Sequence, residues 1–360
     1  MSIADPLLPP SVAPTWRART AEWERRGGSD RAGVPDRPLF MGGCPRSGTT
    51  LLQVMLDMHP ELGMPRETNF IRELWWRRRH FGDLRDPANR RRVAEWIFSD
   101  KEHLFRRLIH RRLTREEAIE EVAAAPPTIG SIIERCIRLH AHDTPRFGDK
   151  RPAYSGFIGP LLQMFPDAQY VNVVRDPRGV AASQAAMGWD QPDIVVPAAI
   201  VRWEFAVART DHYARELHPD QLLDVRYEDL VADPHAQLTR VLEFAGLTAG
   251  DVVDRLVSGE RDGWFVGPHV LAGAPVTTAS VERWRTRLTP SQIALVEQAT
   301  APLMERFGYR PDSDAEPTRH EHAMLAHRRR AFRRRWRRTR RDDLLRELLH
   351  RRPVVAAGHE

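Results

Sequence analysis

Cysteine is nearly absent from this sequence. The 360 residues include only two cysteines, Cys44 and Cys136. Two thiols cannot build a disulfide framework, so a hydrophobic core has to stabilise the chain, and 41% hydrophobic residues are enough for one. Cys44 has no histidine close to it in the sequence that would activate it as a nucleophile. We therefore expect it to be a small buried residue.

Long apolar runs are also missing. No window reaches the roughly 18 consecutive apolar residues that read as a transmembrane helix. The first residues, MSIADPLLPPSVAPTW, lack the basic segment followed by an apolar segment that marks a signal peptide. Together with the scarcity of cysteine, these features predict a cytoplasmic protein in a reducing compartment.

Lysine is scarce as well, since Lys101 and Lys150 are the only two in the chain. The net charge of +6 is spread unevenly. Residues 313–360 contain 14 arginines and 7 acidic residues, a net of +7, so the preceding 312 residues sum to −1. Residues 1–37 are rich in proline and then in charge. The sequence therefore predicts an N-terminal extension (1–37), a nearly neutral domain (38–312) and an arginine-rich tail (313–360).

Ten arginines lie within residues 328–341 of this tail. Such a run binds the phosphates of nucleic acid or of anionic lipid in a salt-dependent way. Phe332 and Trp336 are spaced four residues apart and could enter a membrane interface. A solvated helix or a disordered segment without a partner fits the composition equally well. The sequence leaves open peripheral membrane association, nucleic-acid binding and no contact at all.

The stretch GGCPRSGTT resembles a nucleotide phosphate-binding loop without its usual lysine. Gly43 and Gly48 have the spacing of that motif, but Thr49 occupies the lysine position and the cation is Arg46 instead. The hydroxyl residues of the loop are Ser47, Thr49 and Thr50. An apolar run precedes the loop and helical spacing follows it, so free N–H groups at a helix N-terminus would face a bound phosphate or sulfate. An ordinary strand-to-helix turn is the alternative, and the missing lysine argues against a magnesium triphosphate site.

Strand and helix patterns alternate along the rest of the chain. Apolar runs predict strands near residues 38–41, at Tyr170–Val174 and near Leu222–Arg226. Residues 70–125 read as a helical insertion that could line a substrate cleft, and Thr289 with Pro290 begins a later helix. This alternation predicts an α/β fold of three layers, with a central parallel sheet flanked by helices and a ligand at the carboxyl ends of the strands.

A second anion site is predicted after the strand Tyr170–Val174. Arg175 follows this strand directly, and Ser183 lies eight residues further, inside the next helix. Both side chains would face the same crevice, where an arginine can hold a compact dianion through two hydrogen bonds. A surface pair between Arg175 and Asp176 with an unrelated serine is the alternative. Two anion sites at one sheet edge suit a ligand that is charged at both ends.

The loop segment resembles the phosphosulfate loop of sulfotransferases that use 3′-phosphoadenosine 5′-phosphosulfate (PAPS), and PRSGTTLLQVMLDMHPELGMPRETNF is most similar to the tyrosylprotein-sulfotransferase branch. VRYEDLVADP and APVTTASVERW resemble later segments of that branch, and Met187 stands where the branch has an arginine. The resemblance covers roughly residues 38–310. The cofactor contacts that it implies are Arg46, Ser47, Gly48, Thr49, Thr50, Arg175, Ser183, Tyr227, Thr277 and Arg283.

The same resemblance implies the catalytic residues. Glu67 falls at the position of the general base, while Lys150 and Arg46 supply positive charge to the transferring group. Pro152 stands where small-molecule sulfotransferases have a catalytic histidine, which favours Glu67 as the base. The alternatives are that Glu67 caps a helix and that Lys150 is a solvent-exposed lysine.

The predicted function is therefore transfer of a sulfuryl group from PAPS to an acceptor hydroxyl or amine, with 3′-phosphoadenosine 5′-phosphate (PAP) as the product and no metal. The histidines show no metal-ligand spacing with acidic or cysteine partners. A P-loop kinase is the enzymatic alternative, and a nucleic-acid or membrane binding protein is the non-enzymatic one. The acceptor remains open among peptide tyrosine, sugar, lipid and natural product, and so does the oligomeric state.

Overall fold

Five parallel strands form the central sheet of the part of the chain that the structure describes. The computed structural model describes residues 37–65, 67–99, 113–139, 144–258 and 276–349. The strands are β1 (Leu39–Gly43), β2 (Leu62–Gly63), β3 (Arg146–Lys150), β4 (Gln169–Val174) and β5 (Leu222–Arg226). Their order across the sheet is β2-β3-β1-β4-β5, and each neighbouring pair is parallel. The predicted parallel sheet is confirmed.

Helices follow or separate the strands. In chain order they are α1 (Thr49–Asp57), α2 (Phe70–Arg77), α3 (Pro87–Ser99), α4 (Arg115–Ala123), α5 (Ile129–Arg138), α6 (Ile158–Met164), α7 (Pro177–Ala185), α8 (Pro192–Ala214), α9 (Tyr227–Ala232), α10 (Pro234–Phe244), α11 (Val252–Ser258), α12 (Trp284–Arg287), α13 (Pro290–Arg306) and α14 (Arg319–Leu349). Short 3₁₀ turns cover Arg78–Phe81, Pro152–Gly156 and Thr278–Ser280. The helix expected at Thr289 begins there, because the Thr289 hydroxyl accepts from the Gln292 N–H and Pro290 is the first helical residue.

The two faces of the sheet bury different side chains, because successive residues of a strand point to opposite sides. On β1, Leu39 and Met41 pack in a cluster with residues of α1, α10 and α11. Phe40, between them, points to the other face and packs against Tyr154 and Phe165 in a cluster with α2 to α6. Helices therefore cover both faces, and the predicted three-layer architecture is confirmed.

The parallel register brings the ends of four strands to one edge. Met41 of β1 pairs with Lys150, the last residue of β3, and Gly43 pairs with Val173 of β4. The residues at the strand ends or directly after them on this edge are the 44–48 loop, Lys150, Arg175 and Tyr227. Four segments that are far apart in sequence thus meet at the carboxyl edge of the sheet, where ligands bind in such folds.

The predicted helical insertion is helical where the structure describes it. Helices α2, α3 and α4 lie within residues 70–125, and residues 100–112 are outside the described part of the chain. Buried residues of these helices join α5 in one apolar cluster on the sheet. The insertion is therefore part of the main core, and its predicted contact with a substrate stays a prediction.

Helix α14 contains much of the arginine-rich tail and packs on α8. Phe332 and Trp336 contact the ring of Phe205 on α8, with centroid distances of 5.0 and 4.8 Å. The prediction that these two aromatic side chains enter a membrane interface is wrong, because they pack against the protein itself. Among the described residues, no helix combines the length and the apolar character that crossing a bilayer requires. The predicted extension, 1–37, lies outside the described residues except for Arg37.

Candidate active site

The 44–48 loop turns the chain from β1 into α1. Gly48 has a φ of 96°, and a Cβ atom there would lie 2.4 Å from the ring of Tyr227. Only glycine fits this left-handed position beside an aromatic ring. Ser47 is fully buried, and its Oγ has no hydrogen-bond partner among the described residues. The loop therefore holds an unsatisfied hydroxyl beside the N-terminus of α1, where an anion is stabilised.

Arg46 has the conformation of a constrained residue. Its φ is 78°, a left-handed value that non-glycine residues seldom adopt. Its Nε donates to Ser183 Oγ at 3.2 Å, and its carbonyl accepts from Arg175 Nη1 at 3.1 Å. Burial, and after it the charge of Arg175, lower the pKa of the Arg46 guanidinium. The two predicted anion sites are thus adjacent and share Arg46.

Arg175 is buried and connects three segments. Its Nη2 donates to the Ser280 carbonyl at 2.7 Å, and its guanidinium lies 4.3 Å from the centre of the Tyr227 ring. The hydroxyls of Tyr227 and Ser280 are hydrogen bonded to each other. Ser280 was not predicted, whereas Thr277, which was, is exposed and is not on the cavity wall. The 276–280 segment does approach the loop, but through a different residue.

Glu67 and Lys150 form an ion pair at the same edge. Lys150 Nζ lies 2.7 Å from Glu67 Oε1 and donates to Thr50 Oγ1 at 3.1 Å. The Lys150 side chain is only 2% exposed, so the alternative of a solvent-exposed lysine is wrong. Glu67 is 37% exposed. The pair therefore joins a buried cation to a carboxylate that a ligand can reach.

A buried carboxylate fixes the segment that carries Glu67. Asp149, fully buried, accepts from the Thr68 hydroxyl at 2.9 Å and from the Thr68 N–H at 3.3 Å, and the Tyr154 hydroxyl also donates to it. Burial raises the pKa of Asp149 to about 6, although these hydrogen bonds and Lys150 oppose the rise. Thr68 follows Glu67 directly, so Asp149 constrains the backbone beside the ion pair.

Asp149 is expected to make the unfolding free energy depend on pH. Its pKa is higher in the folded chain (about 6) than the ordinary 3.8. The contribution of its protonation to the free energy of unfolding is therefore fully present below pH 3.8 and is lost as pH rises through 6. The difference corresponds to about 3 kcal/mol. Asp149→Asn cannot ionise, so its stability relative to the unsubstituted protein should rise by about this amount between pH 4 and 7. Denaturant unfolding at several pH values measures this difference, and a difference that does not change with pH would exclude the effect.

The 44–48 loop, Glu67, Arg175 and Tyr227 surround one cavity of about 580 Å³. The predicted site residues on its wall are Arg46, Gly48, Thr49, Thr50, Glu67, Arg175, Ser183, Tyr227 and Arg283. Lys150 and Ser47 lie behind the wall, and Thr277 lies away from it. The wall also contains Met187, at the position where the resembling branch has an arginine.

The wall of the cavity is strongly cationic. Its charged residues, among those that the structure describes, are Arg46, Arg151, Arg175, Arg283, Arg287 and Glu67. Five guanidinium groups against one carboxylate favour an anionic ligand. Arg287 lies four residues after Arg283, so both side chains lie on the same side of α12. This spacing could have predicted Arg287 as a further residue of the site. Trp189, 46% exposed, also lines the wall, and no local pattern distinguishes it from a core aromatic.

A cationic cavity at the carboxyl edge of a parallel sheet, built on a glycine loop without the triphosphate lysine, fits a group transferase whose donor is an anion. Residues 38–251 match the model of the Sulfotransferase family. This match spans more than half of the chain, and the chain belongs to that family. It is a sulfotransferase, an enzyme that transfers a sulfuryl group, and the kinase alternative is not favoured.

Individual relatives agree with this assignment. The chain is 26% identical over 296 residues to protein-tyrosine sulfotransferase A of Caenorhabditis elegans, covering 77% of this chain and 68% of that protein. It is 27% identical over 220 residues to the protein-tyrosine sulfotransferase of Drosophila melanogaster, covering 60% of this chain but only 39% of the fly protein. The sulfotransferase domain of the Synechococcus PCC 7002 olefin synthase has a similar structure, with a TM-score of 0.56, 26% identity and coverage of 78% of this chain and 97% of that domain. The predicted similarity to the tyrosylprotein branch is confirmed.

Proposed function

We propose that this enzyme transfers the sulfuryl group of PAPS to an acceptor hydroxyl, releasing PAP. The observation that carries the proposal is the cavity wall, where, among the residues that the structure describes, five arginines surround a single carboxylate, Glu67, which is paired with Lys150. A nucleotide with an anionic group at each end suits the arginines, and the carboxylate supplies the base that an attacking hydroxyl needs.

The cavity residues fit PAPS. A volume of about 580 Å³ lies within the range of small-molecule sites. The buried Oγ of Ser47 and the buried Nε of Arg175 have no hydrogen-bond partners among the described residues. We infer that the 46–50 loop holds the phosphosulfate end, while Arg175, Ser183 and Arg283 hold the 3′-phosphate, with Tyr227 beside Gly48. When bound, PAPS supplies the activated sulfuryl group and its phosphate leaving group.

Glu67 and Lys150 have complementary roles in this proposal. The Glu67 carboxylate lies on the cavity wall, where it accepts the proton of the acceptor hydroxyl. Lys150 Nζ, hydrogen bonded to Thr50 and Glu67, places a compact positive charge behind the loop. There it stabilises the negative charge that develops on the leaving oxygen. Arg46 supplies a second positive charge from the loop.

The acceptor that we propose to test first is a tyrosine hydroxyl in a protein, because two relatives are named for that acceptor. Other hydroxyls and amines are the alternatives. A cytoplasmic location stays a prediction from the sequence.

Nucleotide choice tests the proposal without knowledge of the acceptor. PAP at about 100 times its Kd should raise the unfolding free energy by ~2.7 kcal/mol, which a thermal-shift measurement detects, whereas ATP with Mg²⁺ should have little effect. A shift with ATP and Mg²⁺ but none with PAP would contradict the proposal and favour a kinase.

A further inference from the structure

Helix α14 has a buried face and an outward face. Leu325 is 4% exposed, and Phe332 and Trp336 pack against α8. Two ion pairs hold the same face, one between Arg329 and Glu204 of α8 and one at 3.1 Å between Arg328 and Asp190, which precedes α8. The apolar residues and these two arginines fix the rotation of the helix on the protein.

The opposite face carries a row of arginines. Its members are Arg330, Arg334, Arg337, Arg338 and Arg341. All five are exposed, and their spacing of three or four residues places them on one side of the helix, about half a turn away from Phe332 and Trp336. The first four have no acidic partner among the described residues, whereas Arg341 lies 3.7 Å from Asp342. The row extends over roughly 17 Å at 1.5 Å per residue.

The shape of this surface distinguishes between polyanions. A helix that reads duplex DNA lies inside the major groove, which is about 12 Å wide. Helix α14 packs lengthwise on α8, so only its outer side can face a polyanion. Proteins that bind single strands stack bases on aromatic side chains, but the aromatic residues of α14, Phe332 and Trp336, face the protein. One straight, exposed row of positive charge fits a flat anionic surface.

We propose that helix α14 binds the surface of an anionic lipid bilayer through this arginine row. Each arginine contacts headgroup phosphates, and Phe332 and Trp336 do not insert, because they pack against α8. Binding of this kind depends on salt. This contact holds the enzyme at a membrane surface, and no residue of the catalytic site takes part in it.

Vesicle sedimentation tests the proposal. The full-length protein should bind phosphatidylcholine vesicles that contain phosphatidylglycerol, should not bind pure phosphatidylcholine, and should dissociate at high salt. The R330Q/R334Q/R337Q/R338Q variant should bind at least ~100-fold more weakly, since each arginine near an anionic surface contributes roughly fivefold. Its melting temperature should be unchanged, since these side chains do not contact the protein core.

A matched variant, R85Q/R92Q/R215Q/R310Q, removes the same charge from exposed arginines outside α14 and should keep the binding. Equal losses in the two variants, or no binding of the unsubstituted protein to anionic vesicles, would overturn the proposal. A duplex or single-stranded oligonucleotide could instead displace the protein from the vesicles when its phosphate concentration is lower than that of the anionic lipid. That result would assign the surface to nucleic acid. None of these outcomes depends on PAPS, so they are independent of the proposed reaction.

Discussion

Replacing Glu67 by glutamine is expected to lower kcat by ~10²–10⁴-fold. Glutamine keeps the size of the side chain but cannot accept a proton from the acceptor hydroxyl. It can still accept a hydrogen bond from Lys150 through its amide oxygen, so the geometry around Lys150 is preserved. Steady-state kinetics with PAPS and a tyrosine-containing acceptor peptide measures the loss, and PAP affinity should change little because the loop and the arginines are intact.

Glu73→Gln provides the matched control. Glu73 is an exposed glutamate on α2, outside the cavity wall, so its substitution removes a carboxylate from the same part of the chain. This variant should retain its activity. Full activity of Glu67→Gln would remove Glu67 from the mechanism and leave it with the alternative role of a helix cap.

Replacing Lys150 by methionine is the second large effect and should lower kcat by ~10²-fold or more. Methionine is unbranched and apolar, so it suits a site that is only 2% exposed, but it removes the positive charge beside the loop. PAP binding should survive, because the arginines of the wall remain. Turnover within a few-fold of the unsubstituted enzyme would show that Lys150 does not stabilise the leaving oxygen.

The double variant separates two roles of Lys150. If Lys150 acts on the leaving oxygen and Glu67 on the acceptor, the two losses should multiply. If Lys150 only holds Glu67 in position through their 2.7 Å contact, the double variant should be as slow as Glu67→Gln alone. The proposed mechanism predicts the multiplied loss.

The anion loop and the main strands could be predicted because their signals are local. The glycine spacing, the threonines and the apolar run before Gly43 describe a strand, a turn and a helix within about 20 residues. The fold that follows from such units is confirmed. Glu67 and Lys150, identified through resemblance, are placed together by the pairing of β2 with β3 and by the hydrogen bonds from Thr68 to Asp149, neither of which a local pattern specifies.

Strand β3 shows why other parts could not be predicted. Its sequence, RFGDK, has one large apolar residue and three charges, yet all five residues are buried. Arg146 reaches the Arg37 carbonyl and the Gln169 amide oxygen at 2.5 and 2.8 Å, and Asp149 and Lys150 have partners of their own. Charged residues can be buried when such partners surround them, but the partners come from distant segments. Composition alone therefore gives this strand the appearance of a surface loop.

Helix α14 also shows a contact that local spacing could not predict. The spacing of Phe332 and Trp336 correctly indicates an apolar side of a helix. Periodicity does not say what covers that side, and the covering residue, Phe205, lies more than 120 positions earlier in the chain. The interpretation as a membrane-inserting pair failed for this reason.

The central claim is that one cavity binds both charged ends of an activated-sulfate nucleotide. Calorimetric titration of PAP and of AMP, which lacks the 3′-phosphate, tests it most directly on the unsubstituted protein. Charge-assisted hydrogen bonds from Arg175 and its neighbours should make PAP bind about tenfold to a hundredfold more tightly than AMP. Equal affinities for PAP and AMP would contradict the second anion site and, with it, the assignment of PAPS to this cavity.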